Sequence, residues 1–248
     1  MTDTLSQWLR VREAADARAR SARVTRRIAS ALPGRTPLRV LDLATGAGSN
    51  VRYLAPRLPH PQTWLAVDGS AGLLADLLGR TTAWATACGA AATTGAASCR
   101  LSGGGLDLEV RTAVRNLHAL DDDLFEGQHL VTASALLDLV SESWLEALAA
   151  QCRRVGAAAL FTITYNGHSA CDPVEPEDEL ARTLLNAHQA RDKGLGGPAA
   201  GPAAVAGAVR AFTAVGYQVE RDVSDWRLDA RDADVQRILV DGWADRKS

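Results

Sequence analysis

The chain has 248 residues, 47% hydrophobic and 23% charged, which suits one globular domain with a full core, alone or with a cap. Its net charge of −2 gives no broad electrostatic case for nucleic acid or an anionic membrane as partner. No apolar run approaches the ~20 residues of a membrane helix, and the opening "MTDTLSQWLRVREAADARAR" lacks the apolar stretch of a signal peptide, so the cytoplasm is the expected location.

Residues 4–32 read as helix, with Leu5, Trp8 and Leu9 and then Val24, Ile28 and Leu32 at helical spacing, and Pro33-Gly34 ends the segment. "LRVLDLA" (38–44) is a short buried strand, and "NVRYLAPRL" (50–58) a short helix. "TWLAVDGS" (63–70) is a second strand ending in an acid, and "AGLLADLLG" (71–79) a second helix. Residues 80–104, rich in Ala, Thr and Gly, read as a helix and then a mobile loop through Gly103, Gly104 and Gly105. "LDLEVRTAV" (106–114) alternates as a third strand. "HLVTASALLDLV" (129–140) starts as a fourth strand and turns to a loop near Ser134. "SWLEALAAQCRRV" (143–155) is helical and "AAALFTITY" (157–165) is a fifth strand. A helix at about 177–191 between Pro- and Gly-rich flanks is too long an interruption for an ordinary connection and reads as a lid. Helix 202–214, a sixth strand at 217–225 and helix 231–245 complete the chain.

This alternation predicts an α/β fold with a doubly wound, mostly parallel sheet. The division expected is a helical cap (1–34), an α/β core (35–166), a lid or substrate element (167–200) and the rest of the core (201–248). Cys88, Cys99, Cys152 and Cys171 form no C-x-x-C pair, which favours reduced thiols over a zinc site.

The stretch "VLDLATGAGSN" (40–50) lies between a strand and a helix, where missing side chains let a ligand approach the backbone. Asp68 ends the next strand, about 20 residues on, where a carboxylate can take hydrogen bonds from two ribose hydroxyls. An adenosine-containing cofactor is expected at the sheet's switch point. A dinucleotide needs G-x-G-x-x-G, and here, counting from Gly46 and Gly48, the third position falls on Val51, while the residue two before Gly46 is Ala44.

The run Asp42-Leu43-Ala44-Thr45-Gly46-Ala47-Gly48 resembles the first motif of class I S-adenosylmethionine-dependent methyltransferases, acid-x-Gly-x-Gly-x-Gly, with Ala44 in place of the first glycine. The resemblance covers roughly residues 38–165. It implies S-adenosylmethionine as cofactor, with Asp42, Ala44, Thr45, Gly46 and Gly48 along its methionine part and Asp68 on the ribose. It also implies that Gly69 and Leu117 lie beside the adenine, that Asn116 accepts from the adenine amino group, and that Ser134 faces the cofactor or the mouth of the cleft. Asn116 also reads as a turn residue. Arg12, Asp16 and Arg20 recur every fourth residue, as a salt-bridged outer face or as a cap whose arginine reaches a carboxylate. The family closes its sheet with an antiparallel pair. Here the last strand is absent, truncated or supplied by a partner, such as a second copy in a homodimer.

Methyl transfer needs alignment and, for an oxygen nucleophile, removal of a proton. His188 on the lid helix is the first choice of base, with Tyr165 and Asp138 as second choices. His168 has less support, and His118 and His129 read as structural. Lys193 reads as part of a helix C-cap with Gly194, and Trp226 as core or as the wall of a pocket. No His/carboxylate cluster has ligand spacing, so a metal-independent reaction is expected. The resulting expectation is methylation of an O or N atom of a small molecule, with no nucleic acid or membrane partner. An NAD(P)-dependent oxidoreductase and a non-catalytic S-adenosylmethionine-binding scaffold are the rival readings.

Overall fold

The computed structural model describes residues 2–32 and 34–245. Pro33, expected to end the first helical segment, lies outside the described residues. Two helices, α1 (Thr2–Ala19) and α2 (Ala22–Ser30), replace the single helix expected over 4–32. The break falls at Ser21, whose hydroxyl accepts from the Val24 amide and starts a new helix.

β1 (Leu38–Leu43), α3 (Ser49–Leu54), β2 (Gln62–Asp68) and α4 (Ala71–Ala87) follow. Then come β3 (Ala91–Thr94), β4 (Ser98–Gly103), β5 (Leu106–Val114), α5 (Asp122–Phe125), β6 (Leu130–Ser134), α6 (Glu142–Val155) and β7 (Ala158–Thr162). Helices α7 (Asp178–Gln189), α8 (Ala204–Ala214) and α9 (Ala233–Asp245) end the fold.

The seven strands form one sheet in the order β3-β4-β5-β2-β1-β6-β7. The five strands from β5 to β7 are parallel, and β3 and β4 add an antiparallel hairpin at the β5 edge. Residues of β1 alternate between two cores: Leu38 and Val40 pack with Trp64, Leu77 and Leu108, whereas Leu41 and Leu43 pack with Phe125, Leu145 and Leu148. That is the period of two of a strand covered on both faces. The chain leaves β1 for β2 on one side and returns to β6 on the other, which opens a crevice at the carboxyl end of β1.

The structure departs from expectation at 80–104, at 217–225 and at the end of the fifth strand. Within residues 80–104 the expected helix is the end of α4, which runs on to Ala87, but the expected loop is instead the hairpin of 91–103. Cys99 and Leu101 alternate into the core while β4 pairs with β5, so partners outside the segment order a sequence of small residues. The second correction is the sixth strand. Residues 217–225 make no sheet ladder. Their charges are taken by α2 instead: Arg23 and Arg27 pair with Glu220, and Arg23 and the Ser21 hydroxyl bond Asp222. β7 therefore ends the sheet among the described residues. The fifth strand is also shorter than expected, because Ile163 turns into the left-handed region at φ 55°.

Candidate functional site

A narrow cleft, open to solvent, lies over the carboxyl end of β1. The loop after β1 forms its floor with Asp42, Ala44, Thr45 and Gly46, α1 covers it with Leu9, Arg12 and Asp16, and Ser134 and Ala135 bound it from β6.

Asp42 is fully buried, yet both its carboxylate oxygens are used. One accepts from Thr45 Oγ1 at 2.5 Å and the other from Asn50 Nδ2 at 2.7 Å. Burial pushes its pKa up to about 6, against those two bonds and the charge of Arg20, while the charge of Asp68 adds to the rise. Arg20 is buried too. It donates to Asn50 Oδ1 (2.5 Å) and to Ser134 Oγ (3.0 Å) and lies over the Tyr53 ring. Asn50 also donates to Thr132 on β6. One network thus ties the α1–α2 junction, the loop and β6 together.

The loop needs left-handed backbone at three places: Ala44 (φ 49°), Gly46 (φ 55°) and Gly48 (φ 81°). A Cβ on Gly48 would sit 2.6 Å from Leu77 Cγ, and one on Gly46 3.1 Å from Leu9 Cδ1. The missing side chains let α4 and α1 press onto the loop. Asp68 holds the same loop from the end of β2, accepting from the Gly46 amide with one oxygen and the Ser70 amide with the other, each at 2.9 Å.

The cover is charged. Arg12 makes a two-bond pair with Asp16 (2.9 and 3.1 Å) between the rings of Trp8 and Trp226, and Trp226 Nε1 donates to the same Asp16. Glu13 binds Arg52 through both oxygens at 2.7 Å and also binds Arg80, a lining residue. So Arg12 and Asp16 are ion-paired and face the cleft, and Trp226 walls them. Leu9, Ser49, Asn50, Arg80 and Ala135 line the cleft without having been singled out from sequence. Asn50 was legible as the end of the same small-residue run, whereas Arg80 and Leu9 had no local signal.

Gly48 and Asp68, which shape and hold the loop, fall outside this lining, and so do other expected positions. Gly69 is open, with only the Arg115 carbonyl near, 3.8 Å from an added Cβ. Asn116 is exposed and accepts from the His118 amide at 2.9 Å, a turn arrangement. Leu117 is buried in the α6-side core, its carbonyl accepting from Trp144. Of the three base candidates, Asp138 and Tyr165 come together: the Tyr165 amide donates to Asp138 at 3.4 Å. Burial pushes the Asp138 carboxyl up, opposed by its backbone bonds and by the charges of Arg12 and Lys193. The Tyr165 hydroxyl donates to Asn186 on α7, and burial pushes it up as well. His188 is half-buried on α7, and its carbonyl accepts from Lys193 Nζ at 3.0 Å. His129 Nδ1 accepts from the Arg39 amide, His118 Nδ1 lies 3.1 Å from the Gly194 carbonyl, and the His168 amide donates to Asn166. Among the described residues, no three of His, Cys, Asp and Glu come together to hold a metal ion. No helix among them is long and apolar enough to cross a membrane.

No protein-family model and no curated protein matches the chain. Among solved structures, it is similar to an O-methyltransferase family protein from Burkholderia thailandensis (21% identity, TM-score 0.45), covering 84% of this chain and 55% of that one. It is similar to the N-terminal domain of EvdMO1 with SAH bound (17%, TM-score 0.43, covering 79% and 70%). It is also similar to the cyclopropane synthase MmaA2 from Mycobacterium tuberculosis (11%, TM-score 0.49, covering 90% and 67%).

Proposed function

We propose that this protein is an S-adenosylmethionine-dependent methyltransferase acting on an O or N atom of a small molecule, in the cytoplasm and within specialised metabolism. The observation that carries the reading is the left-handed loop after β1, built on a buried acid and held from the end of β2 by Asp68. The cleft suits the cofactor chemically: Asp16, Arg12 and Arg80 line it with both signs of charge, for a ligand with an ammonium, a sulfonium and a carboxylate. Each Asp68 oxygen accepts one amide and keeps a lone pair for a ribose hydroxyl.

When bound, S-adenosylmethionine supplies an electrophilic methyl carbon. The protein's part is to align the acceptor and take up its proton. Asp138 is the better placed base of the three candidates. It is buried beside Tyr165, feels the charge of Arg12 in the cleft, and has a carboxyl whose pKa lies above the ordinary range. His188 is the alternative, from α7.

Calorimetric titration with S-adenosylmethionine, S-adenosylhomocysteine and NADH tests the reading. Binding of the first two alone is expected. Binding of NADH alone would make the protein a dinucleotide enzyme, and binding of none would overturn a cofactor site here. With an acceptor in hand, Asp138→Asn should cut turnover by about a hundredfold or more with cofactor binding unchanged. A comparable loss in His188→Ala alone would move the base to α7.

A further inference from the structure

We propose that Arg20, contributed by the N-terminal helices, is a positioning residue of the β1 loop: it keeps the Asp42 carboxylate ionised and locks Asn50 and Ser134, on opposite sides of the cleft, into one frame. The inference rests on the reading above only for the ligand; the coupling of the two charges does not depend on it.

The geometry is direct. The Arg20 guanidinium reaches Asn50 Oδ1 at 2.5 Å and Ser134 Oγ at 3.0 Å, and Asn50 passes the contact to Asp42 through its amide N–H at 2.7 Å. Asp42 is fully buried at the centre of the sheet, and the charges that reach it are Arg20 from the α1–α2 junction and Asp68 from the end of β2. Arg20 in turn feels Asp16, Asp42, Tyr53 and Arg12. Asp42 therefore has one cation in its surroundings and one like charge. A buried carboxylate left without its cation takes up a proton. A protonated Asp42 would have to donate through one oxygen, and both oxygens now accept, from Thr45 and Asn50. Losing the Arg20 charge would thus rearrange the loop that floors the cleft.

The sign of the pH dependence follows. Asp42 is raised on folding, so its contribution is full below the unfolded carboxylate pKa of about 3.9 and is lost as pH rises through the folded value of about 6. Without Arg20 the folded value rises further, and the loss extends to higher pH.

The experiment is denaturant unfolding of the full chain from pH 4 to pH 8 for wild type, Arg20→Met, Arg20→Lys, Asp42→Asn and Arg20→Met with Asp42→Asn. Arg20→Met should lie close to wild type in its pH slope at the acid end. Its folded-to-unfolded ratio should then fall behind by about tenfold or more between pH 6 and pH 8. Arg20→Lys should recover part of that gap, and in the Asp42→Asn background the gap should not vary with pH. A gap constant with pH in the Asp42 protein would overturn the proposal and leave Arg20 a packing residue. Binding of S-adenosylhomocysteine across the same range reads the cleft separately. If wild type binds none, the cofactor reading fails while the charge coupling stands or falls on the unfolding data.

Discussion

On the α1 side of the cleft, charged groups fasten the cover to the floor, Arg20 to Asn50 and Ser134 and Glu13 to Arg52 and Arg80, while Arg12 and Asp16 pair within α1 between two indoles. Helix α7, which lends no residue to the lining of the cleft, is held less firmly. Helix α7 has no buried residue, Leu180 and Leu184 are 60% and 48% exposed, and Val174 before it is 80% exposed. The floor of the cleft is tied to its neighbours by hydrogen bonds and ion pairs, whereas α7 keeps apolar surface in solvent.

Three substitutions test that contrast. The largest effect is expected from Arg52→Met, since Arg52 is buried, bonds Glu13 through two contacts and caps the Ala47 carbonyl. Breaking one partner of such a pair should cost about 3 kcal/mol or more in chemical unfolding; a cost below about 1 kcal/mol would mean the α1 side is not fastened as described. Asp68→Ala comes next. It should weaken S-adenosylhomocysteine binding by about 1–3 kcal/mol in calorimetry, and wild-type affinity would remove Asp68 from the site. The smallest effect belongs to α7: Leu184→Ala should change unfolding stability by no more than about 0.5 kcal/mol. A loss several times larger would show that α7 packs as firmly as α1.

Much of the parallel core was legible, because strands such as Leu38–Leu43 are short apolar runs between turn residues and their helices repeat at helical spacing. What escaped was decided by distant partners. The β3–β4 hairpin is written in small residues that become strand by pairing with β5, and 217–225 alternates like a strand but is drawn away by Arg23 and Arg27. In the site, the loop residues stand together in sequence and could be read together. Arg80 and Leu9 reach the cleft only through the packing of α4 and α1, which no local pattern encodes.

Ala44 holds a left-handed dihedral (φ 49°) that ordinarily selects glycine. A methyl group there costs about 1–2 kcal/mol, which a chain with many contacts at this loop can absorb. In genetic terms, alanine and glycine codons differ at one nucleotide, so the relaxed and the strained loop are a single point mutation apart. A search pattern that insists on glycine at this place tests the identity of a residue, whereas the loop is specified by an angle. Lineages can drift across that boundary while the backbone path, and the cleft it floors, stays the same.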